Sequence, residues 1–280
     1  MTASRLEHLQ RSRRRLDRLD HWTVAEWSET DALVVFGAAA RLEAAALIVP
    51  LNATAPAPLS TLRGDPAWVR WISIADGAAT EASLRGLLDE VVRRAGEAGL
   101  SDLYVLSDES ERYDPVFLAR GFHEIDAVTT LFLPSGDFQQ TEPSRVIRPY
   151  HAAQLNAVAA VDAAAFHVPW IYPPGTLKRE LDRAAVARVA EQGGAVVGYV
   201  SAVQGGVRGH INRLAVAPAA QGGGLGRALL AACITALRQR GVQSISLNTQ
   251  RSNVASLRLY HAAGFCEVGA PLPVYHLPLT

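Results

Sequence analysis

The stretch that decides the reading is Leu214-Ala-Val-Ala-Pro-Ala-Ala-Gln221-Gly222-Gly223-Gly224-Leu225-Gly226-Arg227. An apolar run with strand character ends at a proline. Glycines then crowd the turn, and a helical periodicity begins, with Leu225, Leu229, Cys233, Ala236 and Leu237 on one face. The first amides of a helix lack internal partners, and the helix dipole favours negative charge there. Glycine permits positive φ and a close approach of a ligand to the backbone. Strand, glycine turn and helix together make a phosphate cradle, and Arg227 adds a cation in the first turn. A Walker loop needs Gly-Lys-Ser/Thr, which is absent. A dinucleotide fingerprint needs a third glycine, but from Gly224 the chain reads Gly-Leu-Gly-Arg-Ala-Leu.

Working outward, the chain contains one unit twice. At an offset of 142 positions Trp71-Ile72-Ser73-Ile74 falls on Arg213-Leu214-Ala215-Val216, Leu87-Leu88 on Leu229-Leu230, and Gly99 on Gly241. Leu103 and Val105 fall on Ile245 and Leu247. One residue later, Phe117-x3-Gly121-Phe122 falls on Tyr260-x3-Gly264-Phe265. The ordered set carries more weight than any single pair. A Pro/Gly-rich stretch over 133–149 reads as the linker, which gives two domains, 1–140 and 141–280. The second should hold strands near 146–148, 186–191, 195–204, 209–217, 242–249, 265–269 and 274–279. Its helices should lie near 151–165, 176–184, 225–240 and 253–262. The class is α+β, antiparallel strands leading into a β-α-β crossover.

Composition narrows the field. Lys plus Arg equal Asp plus Glu, 27 each, so the net charge is zero, which argues against charge-driven nucleic-acid binding. No apolar run approaches the roughly 18 residues of a membrane span, so no membrane partner is expected. Cys233 and Cys266 suggest no disulfide framework, and a reduced cytoplasm is the expected compartment; Cys233 lies on the helix's apolar stripe and reads as core. Arg11, Arg13, Arg14, Arg15 and Arg18 sit beside a Leu6, Leu9, Leu16, Leu19 stripe and read as a solvated helix face.

Gln221-Gly-Gly-Gly224-Leu-Gly226, following Val216-Ala-Pro218, resembles the acetyl-CoA signature Gln/Arg-x-x-Gly-x-Gly/Ala of the GNAT superfamily of N-acetyltransferases. Asn253-x-x-Ala-x-x-Leu-Tyr260-x-x-x-Gly264-Phe265 resembles the segment after that superfamily's fifth strand. Asn253 and Tyr260 share a helix face two turns apart, and Gly264 suits a left-handed C-cap. The resemblance covers about half the chain. It implies two tandem GNAT-like domains, each a mixed, mostly antiparallel sheet flanked by helices, with acetyl-CoA bound in the second. Backbone groups of Leu214, Ala215 and Val216 would hold the pantetheine arm. Gln221 belongs to the signature, and the amides of Gly222, Gly223, Gly224, Leu225, Gly226 and Arg227 would hold the pyrophosphate. Asn253 would touch the cofactor arm, and Tyr260 would protonate the departing thiolate.

The general base does not transfer from the family. Members place a glutamate at the position of Asn212 or of Asn248, and both are asparagine here. His210, on the strand face of Asn212, is the candidate base, or else an exposed strand-end histidine. Trp170 and Tyr172, between the first two helices of the unit, either line the acceptor wall together with Asn212 and Asn248 or pack into the core. The first copy has Ala79-Thr-Glu-Ala-Ser-Leu84 where the second has its cradle, and Phe117 where the second has Tyr260, so it reads as degenerate. The implied function is acetyl transfer to a primary amine of a small molecule or peptide, by a monomer or homodimer without a metal. The alternatives are an Nα-acetyltransferase of protein N-termini and a non-catalytic acyl-CoA sensor.

Overall fold

The computed structural model describes residues 14–17, 32–38, 41–52, 59, 63–76, 78–107, 110–136 and 146–279. They fall into two units, Met1–Ala127 with Leu272–Thr280, and Val128–Pro271. The division expected at 140/141 therefore falls earlier, and the C-terminal tail belongs to the first unit. The chain passes from one unit to the other within two strands, β6 (His123–Leu133) and β12 (Cys266–Pro278). The two strands expected at 265–269 and 274–279 are this one continuous β12, which carries Gly269 at φ 72. Most of the stretch read as a linker, 137–145, lies outside the described residues.

Unit 1 holds β1 (Arg14–Asp17), β2 (Leu33–Ala38), β3 (Arg41–Pro50), β4 (Pro66–Ile74), α1 (Thr80–Ala98), β5 (Asp102–Leu106) and α2 (Ser110–Ala119). Its strands run in the order β2-β3-β4-β5, and the tail of β12 pairs antiparallel with β5. Leu84, Leu87, Leu88, Val91 and Ala95 of α1 are buried, the spacing of one helix face. Gly99 ends that helix in the left-handed conformation, φ 72, its amide bonded back to Ala95 and Gly96. Arg14–Asp17 departs from expectation, being a strand and not part of a helix; the rest of the proposed helix lies outside the described residues. The reason is the edge of β4. Its parallel pairing with β5 ends at Val69↔Val105, and β1 pairs with Trp71 to Ile74 beyond that point, giving partners to strand groups left open where β5 diverges.

Unit 2 takes the last residues of β6, then β7 (Ile147–Pro149), a 3-10 turn at Ala152–Gln154, α3 (Leu155–Ala165) and α4 (Pro174–Arg183). There follow β8 (Val186–Gln192), β9 (Ala195–Gly205), β10 (Arg208–Val216), α5 (Leu225–Gln239), β11 (Ser244–Gln250) and α6 (Val254–Ala262). The strand order is β6-β11-β10-β9-β8-β7, antiparallel except for β10 and β11, which are joined by the α5 crossover. One face buries Leu229, Ile234 and Leu237 of α5 against Ile211, Ile245 and Leu247. The other buries Val158, Leu177 and Leu181 of α3 and α4 against Val189, Tyr199 and Ala215. Cys233 is fully buried on the α5 side, and burial pushes its thiol up to about 12.

The repeat recurs in strand register. β4 and β5 pair through Pro66↔Asp102, Ala67↔Leu103, Trp68↔Tyr104 and Val69↔Val105. β10 and β11 pair through Arg208↔Ser244, Gly209↔Ile245, His210↔Ser246 and Ile211↔Leu247, the same pairs displaced by 142. Each neighbouring antiparallel ladder skips one residue just past that point, Arg70 in β4 and Asn212 in β10. Among the described residues no helix is long and apolar enough to cross a membrane.

Candidate active site in unit 2

The site begins where two parallel strands part. The β10–β11 register ends at Ile211↔Leu247, while β10 goes on pairing with β9 through Leu214↔Val200, Ala215↔Tyr199 and Val216↔Gly198. Leu214 to Val216 therefore keep one edge for β9 and present the other to the gap. The gap leads to the glycine turn. Gly222 and Gly224 have φ 81, and a Cβ placed on Gly222, Gly223 or Gly224 would meet nothing within 4 Å. Gly224 is the N-cap of α5, and the first intrahelical bond there runs from Ala228 N to Gly224 O at 3.1 Å. The amides of Leu225, Gly226 and Arg227 precede it and point out of the helix end. Arg227 is exposed beside them. The residues present thus fit an anionic ligand: open space at the glycines, outward amides and a cation.

Gln221 turns inward. Its Nε2 donates to Val216 O at 3.0 Å, closing the loop between strand and cradle. Gly226 lies against α6, where an added Cβ would stand 3.5 Å from Leu259, so the two sequence motifs meet. Asn253 caps α6, its Oδ1 accepting from Ser256 N at 3.1 Å. Tyr260, expected near the thioester, is 6% exposed with its ring edge-on to Phe265. Burial pushes its phenol up to about 12, and a hydrogen bond with Ser256 pulls weakly the other way. The hydroxyl therefore stays protonated at neutral pH, as a proton donor requires.

The α3/α4 face of the sheet carries the polar groups. His210 Nδ1 lies 2.8 Å from Ser246 Oγ across the β10–β11 pair. The skipped residue at Asn212 is a β-bulge, so Asn212 and Arg213 both project to this face. Arg213 forms a two-pronged pair with Asp162 of α3, at 2.8 and 2.9 Å, and donates to Trp170 O at 2.7 Å. Its guanidinium is stacked between Phe166 and Tyr172, 3.5 and 4.0 Å from the ring centroids. Tyr199 also donates to Asp162, and burial raises its phenol. Trp170 and Tyr172 thus hold the buried arginine, by a carbonyl and by a ring face. Asn248 is exposed on β11, opposite Thr130 of β6.

Glu180 of α4 escaped the sequence reading. It is 2% exposed, accepts from the Asn212 amide, and lies 3.5 Å from the Ser201 hydroxyl. A carboxylate only accepts, so Asn212 must turn Nδ2 towards it. Asn212 Oδ1 is then buried with no hydrogen-bond partner among the described residues. A signal existed: Leu177, Glu180 and Leu181 stand at i, i+3 and i+4, which puts a carboxylate in the apolar stripe of its helix. Among the described residues no group of three or more His, Cys, Asp and Glu is placed to hold a metal.

Comparisons with known proteins bear on the same segment. Residues 155–265 match the family model described as the acetyltransferase (GNAT) family, a segment inside unit 2 that carries the cradle, Asn253 and Tyr260. Among curated proteins, the mycothiol acetyltransferase of Amycolatopsis mediterranei is 37% identical over 128 residues, 39% of this chain and 42% of that protein. That of Propionibacterium freudenreichii subsp. shermanii is 32% identical over 150 residues, 49% of this chain and 45% of that protein. The chain thus spans less than half the length of these relatives. Among solved structures, a GCN5-related N-acetyltransferase from Sphaerobacter thermophilus superposes with TM-score 0.63 at 14% identity, over 93% of this chain and 83% of that one. A tandem GNAT protein from the clavulanic acid biosynthesis pathway gives TM-score 0.57 at 15% identity, over 89% and 84%. The fold is GNAT-like α+β, a mixed sheet flanked by helices.

Proposed function

We propose that this protein is an N-acetyltransferase that moves the acetyl group of acetyl-CoA to a primary amine, with its one active site in unit 2. The observation that carries the reading is the open β10 edge at Leu214 to Val216 leading into the Gly222–Arg227 cradle. Acetyl-CoA supplies an activated thioester. Leu214, Ala215 and Val216 bind its pantetheine amides as a neighbouring strand would. The cradle amides and Arg227 hold the pyrophosphate, and Gln221 keeps the loop in shape. Asn253 orders the start of α6 and so positions Tyr260, whose phenol gives its proton to the sulfur as the thiolate leaves.

The acceptor is a small-molecule amine. This choice rests on the relatives named mycothiol acetyltransferase, which favour it over a protein N-terminus. Asn212 lies where the strands part and belongs to the acceptor side, with His210 on the same face and Asn248 at its exposed margin. Trp170 and Tyr172 shape that side through their hold on Arg213.

Unit 1 is read as a degenerate copy that binds no cofactor. Ala79–Leu84 stands where the cradle would be, with Glu81 bringing negative charge. In addition, β1 pairs with Trp71 to Ile74 of β4, which include the equivalents of Leu214 to Val216.

The test is a thiol-release assay with acetyl-CoA and a panel of amines: glucosamine, ethanolamine, L-alaninamide and a peptide with a free N-terminus. Amine-dependent thiol release with a small-molecule preference is expected. Acetyl-CoA binding without release to any amine would favour the sensor instead, and preference for the peptide would favour the Nα-acetyltransferase.

A further inference from the structure

We infer that Glu180 is the proton acceptor of the transfer, a carboxylate delivered by helix α4 to the place where strand β10 carries only Asn212. The inference rests on the acetyltransferase reading above and extends it. An amine at neutral pH is mostly an ammonium, and its lone pair is free only after a proton leaves. The strand positions offer Asn212 and Asn248, whose amides cannot take it. Asn212 occupies the fork of the site, next to the last parallel pair Ile211↔Leu247 and before the open edge that starts with Leu214. A thioester held along Val216 to Leu214 points its acyl end at this fork. Glu180 arrives there from outside the sheet, accepting from Asn212 Nδ2.

The carboxylate is built in. Leu177 and Leu181, 0% and 5% exposed, anchor α4 on either side of Glu180. Asn212 and Ser201 come from two adjacent strands to orient it. Burial of a carboxylate is costly unless it is hydrogen-bonded or paired, and Asn212 and Ser201 supply those partners. Asn212 Oδ1, buried and unpartnered among the described residues, adds an acceptor for an incoming N–H. The other titratable or charged groups on this face include His210 and Arg213 of β10, Tyr199 of β9, Asp162 of α3, Arg179 of α4, Tyr172 stacked on Arg213, and Tyr150. Arg213 and Tyr199 are held by Asp162, His210 lies against Ser246, and Arg179 donates to Thr176. Glu180 accepts the Asn212 bond.

The ammonium proton passes to the Glu180 carboxylate, and the freed nitrogen forms the C–N bond to the acetyl carbon. The C–S bond breaks and the sulfur takes the proton of Tyr260; the second proton, shed by the nitrogen as the amide forms, returns Tyr260 to its phenol through solvent, and the first leaves Glu180 for solvent, so the net products are amide, CoA thiol and one proton.

The experiment compares Glu180→Gln with wild type, using the panel amine turned over fastest and, separately, hydroxylamine, which is already neutral at pH 7. For the alkylamine, kcat/KM should fall by about 100-fold or more at neutral pH, the scale of a lost general base, and the acidic limb of its pH profile should move up towards the ionisation of the free amine. For hydroxylamine the loss should be much smaller. Calorimetric affinity for acetyl-CoA should match wild type. Glu180→Gln with Asn212→Asp moves the carboxylate onto β10 and should recover about tenfold or more of the lost rate. If Glu180→Gln does not fold, this exchanged pair and Glu180→Asp carry the same two-nucleophile comparison. Equal losses for both nucleophiles, or turnover near wild type, would overturn the assignment. So would an acidic limb left in place by Glu180→Gln but moved up by His210→Gln. Wild-type protein that fails to bind acetyl-CoA, or binds it and acetylates no amine, fails at the function itself and removes this inference with it.

Discussion

Asn212 and Arg213 are neighbours in the chain, yet both side chains leave β10 on the face covered by α3 and α4, one bonded to Glu180 and the other to Asp162. In a regular strand they would point to opposite faces. The bulge at Asn212 puts them together and shifts the alternation of everything after it. Leu214 and Val216 pack with the α5 core and Ala215 with the α3/α4 core. One inserted residue thus assembles the acceptor-side polar cluster and turns the cofactor-side strand edge to the gap.

The buried Arg213–Asp162 pair makes the first prediction. Their side chains are 8% and 1% exposed, so removing one partner strands a charge away from water. Asp162→Ala should destabilise the protein by about 3–5 kcal/mol, read from urea or guanidinium unfolding. Replacing both by apolar residues of similar volume should cost much less than the sum of the single changes. Additive losses would show that the pair does not act as a unit.

The second concerns the cradle. Gly224 has φ 81 and open space where a Cβ would be. Gly224→Glu should abolish acetyl-CoA binding in calorimetry, since charge and bulk enter the phosphate site. Gly224→Ala isolates the conformational strain, about 1–2 kcal/mol for an L-residue held in the left-handed region, and should weaken binding less. Unchanged affinity in the glutamate variant would remove the cradle from the site.

The third concerns Tyr260. Tyr260→Phe should lower kcat by about 10²–10⁴-fold, the range for general acid catalysis, with acetyl-CoA affinity nearly unchanged because the ring still packs on Phe265. The pH dependence has a definite sign. Burial disfavours the phenolate and pushes the group up to about 12, so its protonated form persists well above pH 10. No alkaline fall in kcat below about pH 11 should trace to Tyr260. The folded state prefers the protonated phenol, so this preference is intact below pH 10 and lost as pH rises towards 12. A Phe variant with wild-type turnover would hand the proton donation to water.

The fourth is stoichiometry. Titration with acetyl-CoA should give one site per chain, because unit 1 lacks the glycines and β1 pairs along the strand that an arm would need. A chain lacking residues 1–17 should keep that stoichiometry and melt at a lower temperature, since β4 loses the partner of Trp71 to Ile74. A second site would revive cofactor binding by unit 1.

The sequence by itself determined the local devices: the glycine turn and the helix after it, the Asn253 cap, the spacing from Asn253 to Tyr260, and the repeat at offset 142. Each is written in neighbouring residues or in the order of elements, so helical periodicity and turn chemistry make it readable. It also placed the helices of unit 2, and its strands other than β6 and β12, within a few residues of their observed bounds. Tertiary structure alone decided the bulge at Asn212, the strand at Arg14–Asp17, the passage of β6 and β12 from one unit to the other, and the meeting of Glu180 with Asn212. These depend on pairing between segments far apart in the chain. A strand edge gains hydrogen bonds from whichever segment reaches it, and a buried carboxylate settles where partners from other elements satisfy it, so neither outcome is encoded in local spacing.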